Sequence, residues 1–375
     1  MSGIQEFRNV AFKDTTFANL MQKRIFNVLL IATKYDAFML EEDGRVDEQI
    51  YNEYMSLSLS YPPRFKQVTT EEEALKELNE LSYELIIFMP NMVDRDIFGV
   101  AKSIKKLHPS IPIVVLTPFS KSVSKSIANE DLSSIDYVFS WLGDAQLLIA
   151  IIKLIEDRMN APDDTKSVGV QIILLVEDSI RFYSATLSHL YRFVLEQSME
   201  FAKEALNEHQ KTLRMRGRPK IMLARTYEEA KSIYDEYRDN ILGIISDMSF
   251  LHENRKDPLA GYQFCNYALE NDRHVPIIME SSDIENRKYA NLIDGAFIYK
   301  HSKTYRNDLK NKIMERFGFG DFLIINPETH EEILRIKDLK DLQNKVSQIP
   351  DESLRYHLSH NHFSRFFYSR AMFPP

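Results

Sequence analysis

Four short apolar segments of the sequence end in polar side chains that could act together in chemistry. Short apolar runs are typical of buried parallel strands, and open α/β sheets carry their sites at the carboxyl ends of such strands. Carboxylates, a hydroxyl and an amine that meet at these ends predict a compact site for Mg²⁺ and a phosphoryl group. In chain order the residues are Glu177, Asp178, Asp247, Ser281 and Lys300.

The strands that would position these residues belong to a pattern that occurs twice along the chain. The first series of predicted strands is Phe26–Ala32, Arg64–Val68, Leu85–Met89, Ile113–Thr117 and Tyr137–Phe139. The second series is Gln171–Val176, Lys220–Ala224, Ile241–Ser246, Pro276–Met279 and Phe297–Tyr299. Helical periodicity fills the gaps between the strands of both series. Such alternation predicts an α/β protein with two doubly wound, five-stranded parallel sheets of the flavodoxin type.

The repeat and the composition between its copies predict the domain boundaries. A polar stretch that contains Pro162 and Gly169 separates the two series and is typical of a linker. The predicted organisation is an N-terminal arm (1–24), a first domain (25–159), a linker (160–169), a second domain (170–318) and a C-terminal segment (319–375).

Two segments go beyond the repeated pattern. Between the first two strands of the second series, apolar residues recur with loose helical periodicity and predict one long helix over 180–215. In the C-terminal segment, the pattern predicts a β-hairpin within 322–336 and helices at Leu339–Val346 and Ser353–His360. The aromatic and proline-rich end suggests a fragment of a longer protein.

Composition limits the function classes. The chain has 375 residues, of which 44% are hydrophobic and 27% charged, with a net charge of −8. This acidity argues against a nucleic-acid-binding surface, which is usually basic. A single cysteine excludes an internal disulfide framework. Since the chain has neither a signal-peptide pattern nor an apolar run of the ~18 residues that a membrane span needs, we expect a cytoplasmic protein without a membrane partner.

The second series resembles the receiver domain of response regulators, and the first resembles a degenerate copy of it. The resemblance covers residues 170–316 well and 25–159 less well. It implies that Asp247 is the phospho-acceptor and that Ser281 and Lys300 occupy the family's hydroxyl and lysine positions, which assist the transfer. It also implies a phosphorelay role for the chain, with a histidine kinase or a phosphotransfer protein as the phosphodonor.

The same resemblance implies an Mg²⁺ site and a conformational switch. Asp178, Asp247 and the backbone carbonyl of Ser249 would bind Mg²⁺ directly, and Glu177 would act through water. Phe297 stands at the aromatic switch position and would rotate inward as Ser281 moves.

The sequence departs from the receiver pattern at three places. Ser281 stands where threonine is commoner, and His301 follows Lys300 where proline is usual. The stretch after Asp247, residues 248–258, is longer than the short loop of the family. Because that loop borders the phosphoryl site, we expect an altered hydrolysis rate or partner choice.

The first series lacks the residues for this chemistry. Its strand ends carry side chains that neither hold Mg²⁺ nor accept a phosphoryl group, and only the hydroxyl survives. The first domain is therefore predicted to be a scaffold or a pseudo-receiver that binds a partner or a different ligand, and these roles do not exclude each other. The residues at the strand ends are Ala32, Thr33, Met89, Thr117 and Trp141.

The C-terminal segment weakly resembles the region that leads into phosphoenolpyruvate synthase-like and pyruvate phosphate dikinase-like enzymes. The sequence segments that show this resemblance are 326–329, 335–339, 349–357 and 361–364. No nucleotide-binding or phospho-histidine motif of those enzymes is visible, so whether the chain belongs to an enzyme stays open. If the resemblance holds, this part is regulatory and catalysis lies beyond residue 375.

The predicted function is a response regulator that accepts a phosphoryl group at Asp247 with Mg²⁺ and regulates an attached or partner protein. Two alternatives remain open. One is a scaffold that is never phosphorylated, and the other is the regulatory part of a phosphoenolpyruvate synthase-like enzyme. Oligomerisation could use the predicted long helix 180–215.

Overall fold

The structure, a computed structural model, describes most of the chain, and its described residues separate into two compact units. The first unit contains Gln22–Met159 and Ser179–Arg192. The second contains Asn160–Asp178, the described residues up to Met21, and those from Phe193 onward. Residues 1–19 of the predicted N-terminal arm lie outside the described residues. Those described are 20–40, 46–89, 97–118, 132–141, 143–205 and 207–373.

The first unit contains a parallel sheet of five strands in the order β2-β1-β3-β4-β5. Apart from the polar and largely exposed edge strand β2, these strands are apolar and mostly buried. Residues such as Leu29, Ile86 and Val115 form the core between sheet and helices. The strands are β1 (Asn27–Ile31), β2 (Arg64–Val68), β3 (Leu85–Phe88), β4 (Ile113–Pro118) and β5 (Tyr137–Trp141). Each lies within two residues of its predicted position.

Helices connect the strands of the first unit. Thr70 begins one of them, since its hydroxyl accepts a hydrogen bond of 3.1 Å from the amide of Glu73. The helices are Lys34–Leu40, Val46–Ser56, Glu71–Glu80, Ile97–Leu107 and the first part of Gln146–Val168, with a 3₁₀ turn at Leu132–Ser134.

The second unit repeats the architecture with the sheet order β7-β6-β8-β11-β12, again parallel. Both sheets thus have the flavodoxin-like order 2-1-3-4-5, as predicted. The strands are β6 (Ile172–Val176), β7 (Lys220–Ala224), β8 (Ile241–Asp247), the hairpin strands β9 (Phe250–His252) and β10 (Arg255–Asp257), β11 (Ile277–Ser281) and β12 (Ala296–Tyr299). The helices are Tyr227–Tyr237, Ala260–Asn271, Arg287–Leu292 and Tyr305–Arg316, with 3₁₀ turns at Arg238–Asn240 and Ile284–Asn286.

The predicted linker 160–169 is not a loop. Helix Gln146–Val168 continues through it and contains Pro162. Some of the polar residues that suggested a loop are buried on the helix: Asp164 is 1% exposed and pairs with Lys220 at 2.7 Å. Pro162 lacks the amide hydrogen that a helix would use, so the local sequence favours a loop. The buried ion pair stabilises the helix despite this preference.

The predicted long helix 180–215 is two helices, Ile180–Ala202 and Glu208–Arg216. The second begins at Asn207, whose side-chain oxygen accepts a 2.8 Å hydrogen bond from the amide of Gln210. The start of the first helix belongs to the first unit, where Tyr191 donates a 2.9 Å hydrogen bond to Asp157. The compact units therefore differ from the predicted boundary at residue 170.

The C-terminal segment packs within the second unit. Its antiparallel hairpin joins β13 (Phe322–Ile325) and β14 (Glu332–Ile336), as predicted. Arg370 and Ser369 fasten the end of the segment to the carbonyl oxygen of Gly318, at 2.7 and 2.8 Å. The helices of this segment are Leu339–Lys345, Asp351–Ser359 and His362–Ser369, with a 3₁₀ turn at Val346–Gln348.

Across the described residues, the structure has no helix that combines the length and the apolar character required to cross a membrane.

Candidate phosphoryl-acceptor site

Three carboxylates meet at the carboxyl edge of the second sheet. Glu177 and Asp178 directly follow β6, and Asp247 ends the neighbouring strand β8. One carboxylate oxygen of each lies within 4.8 Å of those of the other two. The strands β6 and β8 flank the point where the strand order reverses, which is where ligands bind in open α/β sheets. The apolar runs of the sequence and the acidic residues at their ends predicted that these carboxylates would meet.

Lys300 neutralises the centre of the cluster. Its ammonium nitrogen lies 2.7 Å from Asp247 Oδ1 and hydrogen-bonds Glu177 Oε2, and its side chain is only 3% exposed. Burial alone would lower the pKa of Lys300, but the charges of Glu177, Asp247 and Glu280 outweigh it and raise the pKa. The lysine therefore stays charged.

A fourth carboxylate, Glu280, was not identified from the sequence. It lies opposite Asp247 in the register of β8 and β11, is 1% exposed, and accepts a 2.9 Å hydrogen bond from the Tyr305 hydroxyl. Burial, assisted by the charge of Asp247, raises the pKa of Glu280 to about 7, although Lys300 and Tyr305 oppose the shift. The apolar run that contains Glu280 was recognised, but its pairing with Asp247 requires the strand register.

Ser281 occupies the predicted strand end beside Lys300, whose amide donates a 2.9 Å hydrogen bond to the Ser281 carbonyl. The buried hydroxyl of Ser281 accepts hydrogen bonds from the Asp283 amide at 3.0 Å and the Asn286 side chain at 2.9 Å. It thereby anchors the turn that follows β11.

Phe297 is half-buried against the core of the second unit, and the Arg287 guanidinium carbon lies 5.5 Å from its ring centroid. The aromatic ring thus contacts both the core and a cation near the surface. Its switch role stays a prediction.

The long loop after Asp247 folds as the hairpin β9–β10 and brings in a residue that sequence reasoning missed. The Lys256 ammonium lies 2.8 and 2.6 Å from the two carboxylate oxygens of Asp178, and 2.8 Å from the Ser249 carbonyl oxygen. The unusual length of the loop was a visible signal, but it did not indicate which side chain would reach back.

Gly261 allows the helix Ala260–Asn271 to approach the backbone of Asp247 closely. Its amide donates a 3.0 Å hydrogen bond to the Met248 carbonyl. A Cβ atom at Gly261 would lie 2.0 Å from the carbonyl oxygen of Asp247. Only glycine fits without a shift of the backbone.

We expect Gly261→Ala to destabilise the second unit by about 1–3 kcal/mol, because overpacking displaces the backbone. Helix propensity alone would predict that alanine stabilises the unit by up to about 1 kcal/mol. The sign of the change in the free energy of unfolding, measured by chemical unfolding, therefore distinguishes the two effects. Gly295→Ala is the control, since the nearest atom to its Cβ would lie at an ordinary 3.4 Å. Equal stabilities of both variants would contradict the close approach.

The first unit differs at the corresponding strand ends. Ala32 and Met89 are buried there, and the Thr117 hydroxyl donates a 3.4 Å hydrogen bond to the Phe139 carbonyl. Among the residues that the structure describes, the one group of three or more clustered potential metal ligands is that of the second unit.

Comparisons with known proteins were made for the whole chain. No protein-family model and no curated protein matches it. A solved structure of a probable two-component system response regulator/GGDEF domain protein aligns over 78% of this chain and 97% of its own, with 13% identity and a TM-score of 0.31. A putative protein of the same description aligns over 77% and 96%, with 14% identity and a TM-score of 0.30. Similarity this low carries no functional argument, and the fold assignment rests on the strand order.

Proposed function

We propose that the second unit is a response-regulator receiver that accepts a phosphoryl group at Asp247 with the help of Mg²⁺. One observation carries the proposal: the buried ammonium of Lys300 contacts Asp247 and Glu177 at the strand-order reversal, where three carboxylates converge. Lysine and clustered carboxylates at such an edge are the groups that phosphoryl transfer to a carboxylate requires.

The donor set fits Mg²⁺, which prefers oxygen ligands. Asp178, Asp247 and the Ser249 carbonyl, which is already turned toward a cation, would hold the ion, and Glu177 would contribute through water. When bound, Mg²⁺ would offset the repulsion between the carboxylates and the oxygens of the incoming phosphoryl group.

The side chains of this unit would carry out the other steps of phosphoryl transfer. A carboxylate oxygen of Asp247 would attack the phosphorus, and the bond from phosphorus to the donor would break with its electron pair leaving on the donor. Lys300, held by Glu177, would neutralise charge on the transferred group. Ser281 would exchange its present hydrogen-bond partners for a phosphate oxygen, and Phe297 would follow by rotating inward. A histidine kinase or phosphotransfer protein would be the donor.

A second candidate function is a docking scaffold that is never phosphorylated. The observation in its favour is that each carboxylate of the cluster already pairs with Lys256 or Lys300, so the fold does not depend on a metal for counter-charge. The first unit, without acids at its strand ends, would serve as a partner platform in either case. A link between 319–375 and phosphoenolpyruvate synthase-like enzymes stays a prediction.

The experiment is intact-mass measurement after incubation with acetyl phosphate, with and without Mg²⁺. We expect one phosphoryl adduct that needs Mg²⁺ and is lost in Asp247→Asn, because Asp247 is the carboxylate that both contacts Lys300 and would bind the ion directly. Asp294→Asn, at a fully exposed aspartate of the same unit, should retain the adduct. Absence of any adduct, or its persistence in Asp247→Asn, would favour the scaffold.

A further inference from the structure

Lys256 lies where a divalent cation would bind. Its ammonium contacts both oxygens of Asp178 at 2.6 and 2.8 Å and the Ser249 carbonyl at 2.8 Å. Asp178 and Ser249 are two of the three oxygen sources that the proposed function gives to Mg²⁺. An ammonium within hydrogen-bonding distance of these oxygens and a metal ion bound to them cannot occupy the same space.

The hairpin that carries Lys256 is anchored independently of this contact. The Glu253 amide donates a 2.9 Å hydrogen bond to Glu228, and the rings of His252 and Tyr227 stack with centroids 4.1 Å apart. The Asp257 carboxylate accepts a 2.8 Å hydrogen bond from the Leu259 amide. The backbone at Lys256 is thus held in place whether or not its ammonium touches Asp178.

The side chain itself is able to leave. It is 55% exposed and has a flexible four-carbon stem that can turn toward solvent. A fixed backbone with a movable charged end makes Lys256 a tethered cation whose effective concentration at Asp178 is high. Release costs no unfolding of the hairpin.

We propose that Lys256 is a built-in competitor of the divalent cation at Asp178 and Ser249. The inference rests on the proposed function, because it assumes that this cluster binds Mg²⁺. Lys256 would weaken Mg²⁺ binding, neutralise Asp178 in the metal-free protein, and swing to the surface when the ion enters. Readiness for phosphoryl acceptance would then depend on the free Mg²⁺ concentration.

The test compares Mg²⁺ affinities by calorimetry for the wild-type chain, Lys256→Met and Arg255→Met. Lys256→Met keeps most of the stem and removes the charge, so we expect Mg²⁺ to bind at least about tenfold more tightly than to wild type, since a charge-assisted contact is removed. Arg255→Met removes the same charge from the adjacent, exposed position of β10 and should leave the affinity within about twofold, because its charge makes only a screened contribution.

The possible outcomes distinguish a failure of the competition by Lys256 from a failure of the proposed Mg²⁺ site. Tighter binding in Lys256→Met alone, including binding that wild type lacks, supports the competition. Equal affinity in all three proteins overturns the competition and leaves the Mg²⁺ site intact. Absence of binding in all three overturns both.

A second measurement uses the wild-type chain and so does not depend on whether the variants fold. Acetylation of lysines by a small amine-reactive reagent, mapped by peptide mass, should increase at Lys256 when Mg²⁺ is added. Lys303, an exposed lysine of the same unit, should not change. Unchanged reactivity of Lys256 at a Mg²⁺ concentration that saturates the protein would also overturn the proposal.

Discussion

Replacement of Lys300 by methionine is expected to destabilise the second unit by about 3–5 kcal/mol, because removal of one partner from a buried ion pair leaves uncompensated charge. Lys300 is 3% exposed and contacts both Glu177 and Asp247, whose side chains are 2% and 12% exposed. With methionine these carboxylates would repel each other without a counter-charge. Chemical unfolding in the absence of divalent ions measures the loss.

Two further features make this prediction specific. Lys303→Met removes an equal charge three residues away at an exposed position, and should change stability by less than about 0.5 kcal/mol. The pKa of Lys300 is raised, so its contribution is fully present at neutral pH and is lost only as the pH rises through the alkaline range in which this lysine deprotonates. A loss as small as that of Lys303→Met would contradict a buried bridging role.

Glu280→Gln is expected to stabilise the protein above neutral pH by up to roughly 3 kcal/mol. This value converts the shift in the pKa of Glu280 at about 1.4 kcal/mol for each pKa unit. The pKa of Glu280 is raised from the usual 4.5 to about 7 by burial. In the pH range between these values the folded state binds a proton that the unfolded state releases, so stability falls as the pH rises. Above about pH 7 the folded protein carries the buried charge, which glutamine removes.

Thermal unfolding at pH 5 and pH 8 measures this effect. The gain from Glu280→Gln should be large at pH 8 and small at pH 5, where the carboxyl group is protonated in the folded wild-type protein. Glutamine retains an oxygen that can accept the hydrogen bond of the Tyr305 hydroxyl, so this contact need not be lost. Glu285→Gln, at an exposed glutamate nearby, is the control. A gain that is equal at both pH values would contradict the burial of a titrating carboxyl group.

The sequence predicted the sheet strands and the placement of five polar residues at one sheet edge for the same physical reason. Buried parallel strands require apolar runs, and the carboxyl ends of such strands share one edge, so polar residues at those ends meet. Glu177 and Asp247 are distant in sequence and illustrate this. Glu177 directly follows the apolar strand β6, and Asp247 is the last residue of the apolar strand β8. Lys300 likewise directly follows the apolar strand β12.

What sequence reasoning missed depends on three-dimensional detail. The place of Glu280 beside Asp247 follows from strand register, and the reach of Lys256 follows from the geometry of a hairpin. The helical path through 160–169 depends on the burial of Asp164 against Lys220, a contact between residues far apart in sequence. The break in the predicted helix 180–215 depended on a local signal, the N-cap Asn207, that weak periodicity concealed.

The central claim is that Asp247 itself becomes phosphorylated, and reductive trapping tests it most directly. After reaction with acetyl phosphate and Mg²⁺, borohydride converts an aspartyl phosphate to homoserine, and peptide mass spectrometry locates the converted residue. The account predicts conversion at Asp247 in the second unit, dependent on Mg²⁺, with Asp178 unconverted. Conversion at another carboxylate, or no conversion under conditions in which Mg²⁺ is bound, would contradict it.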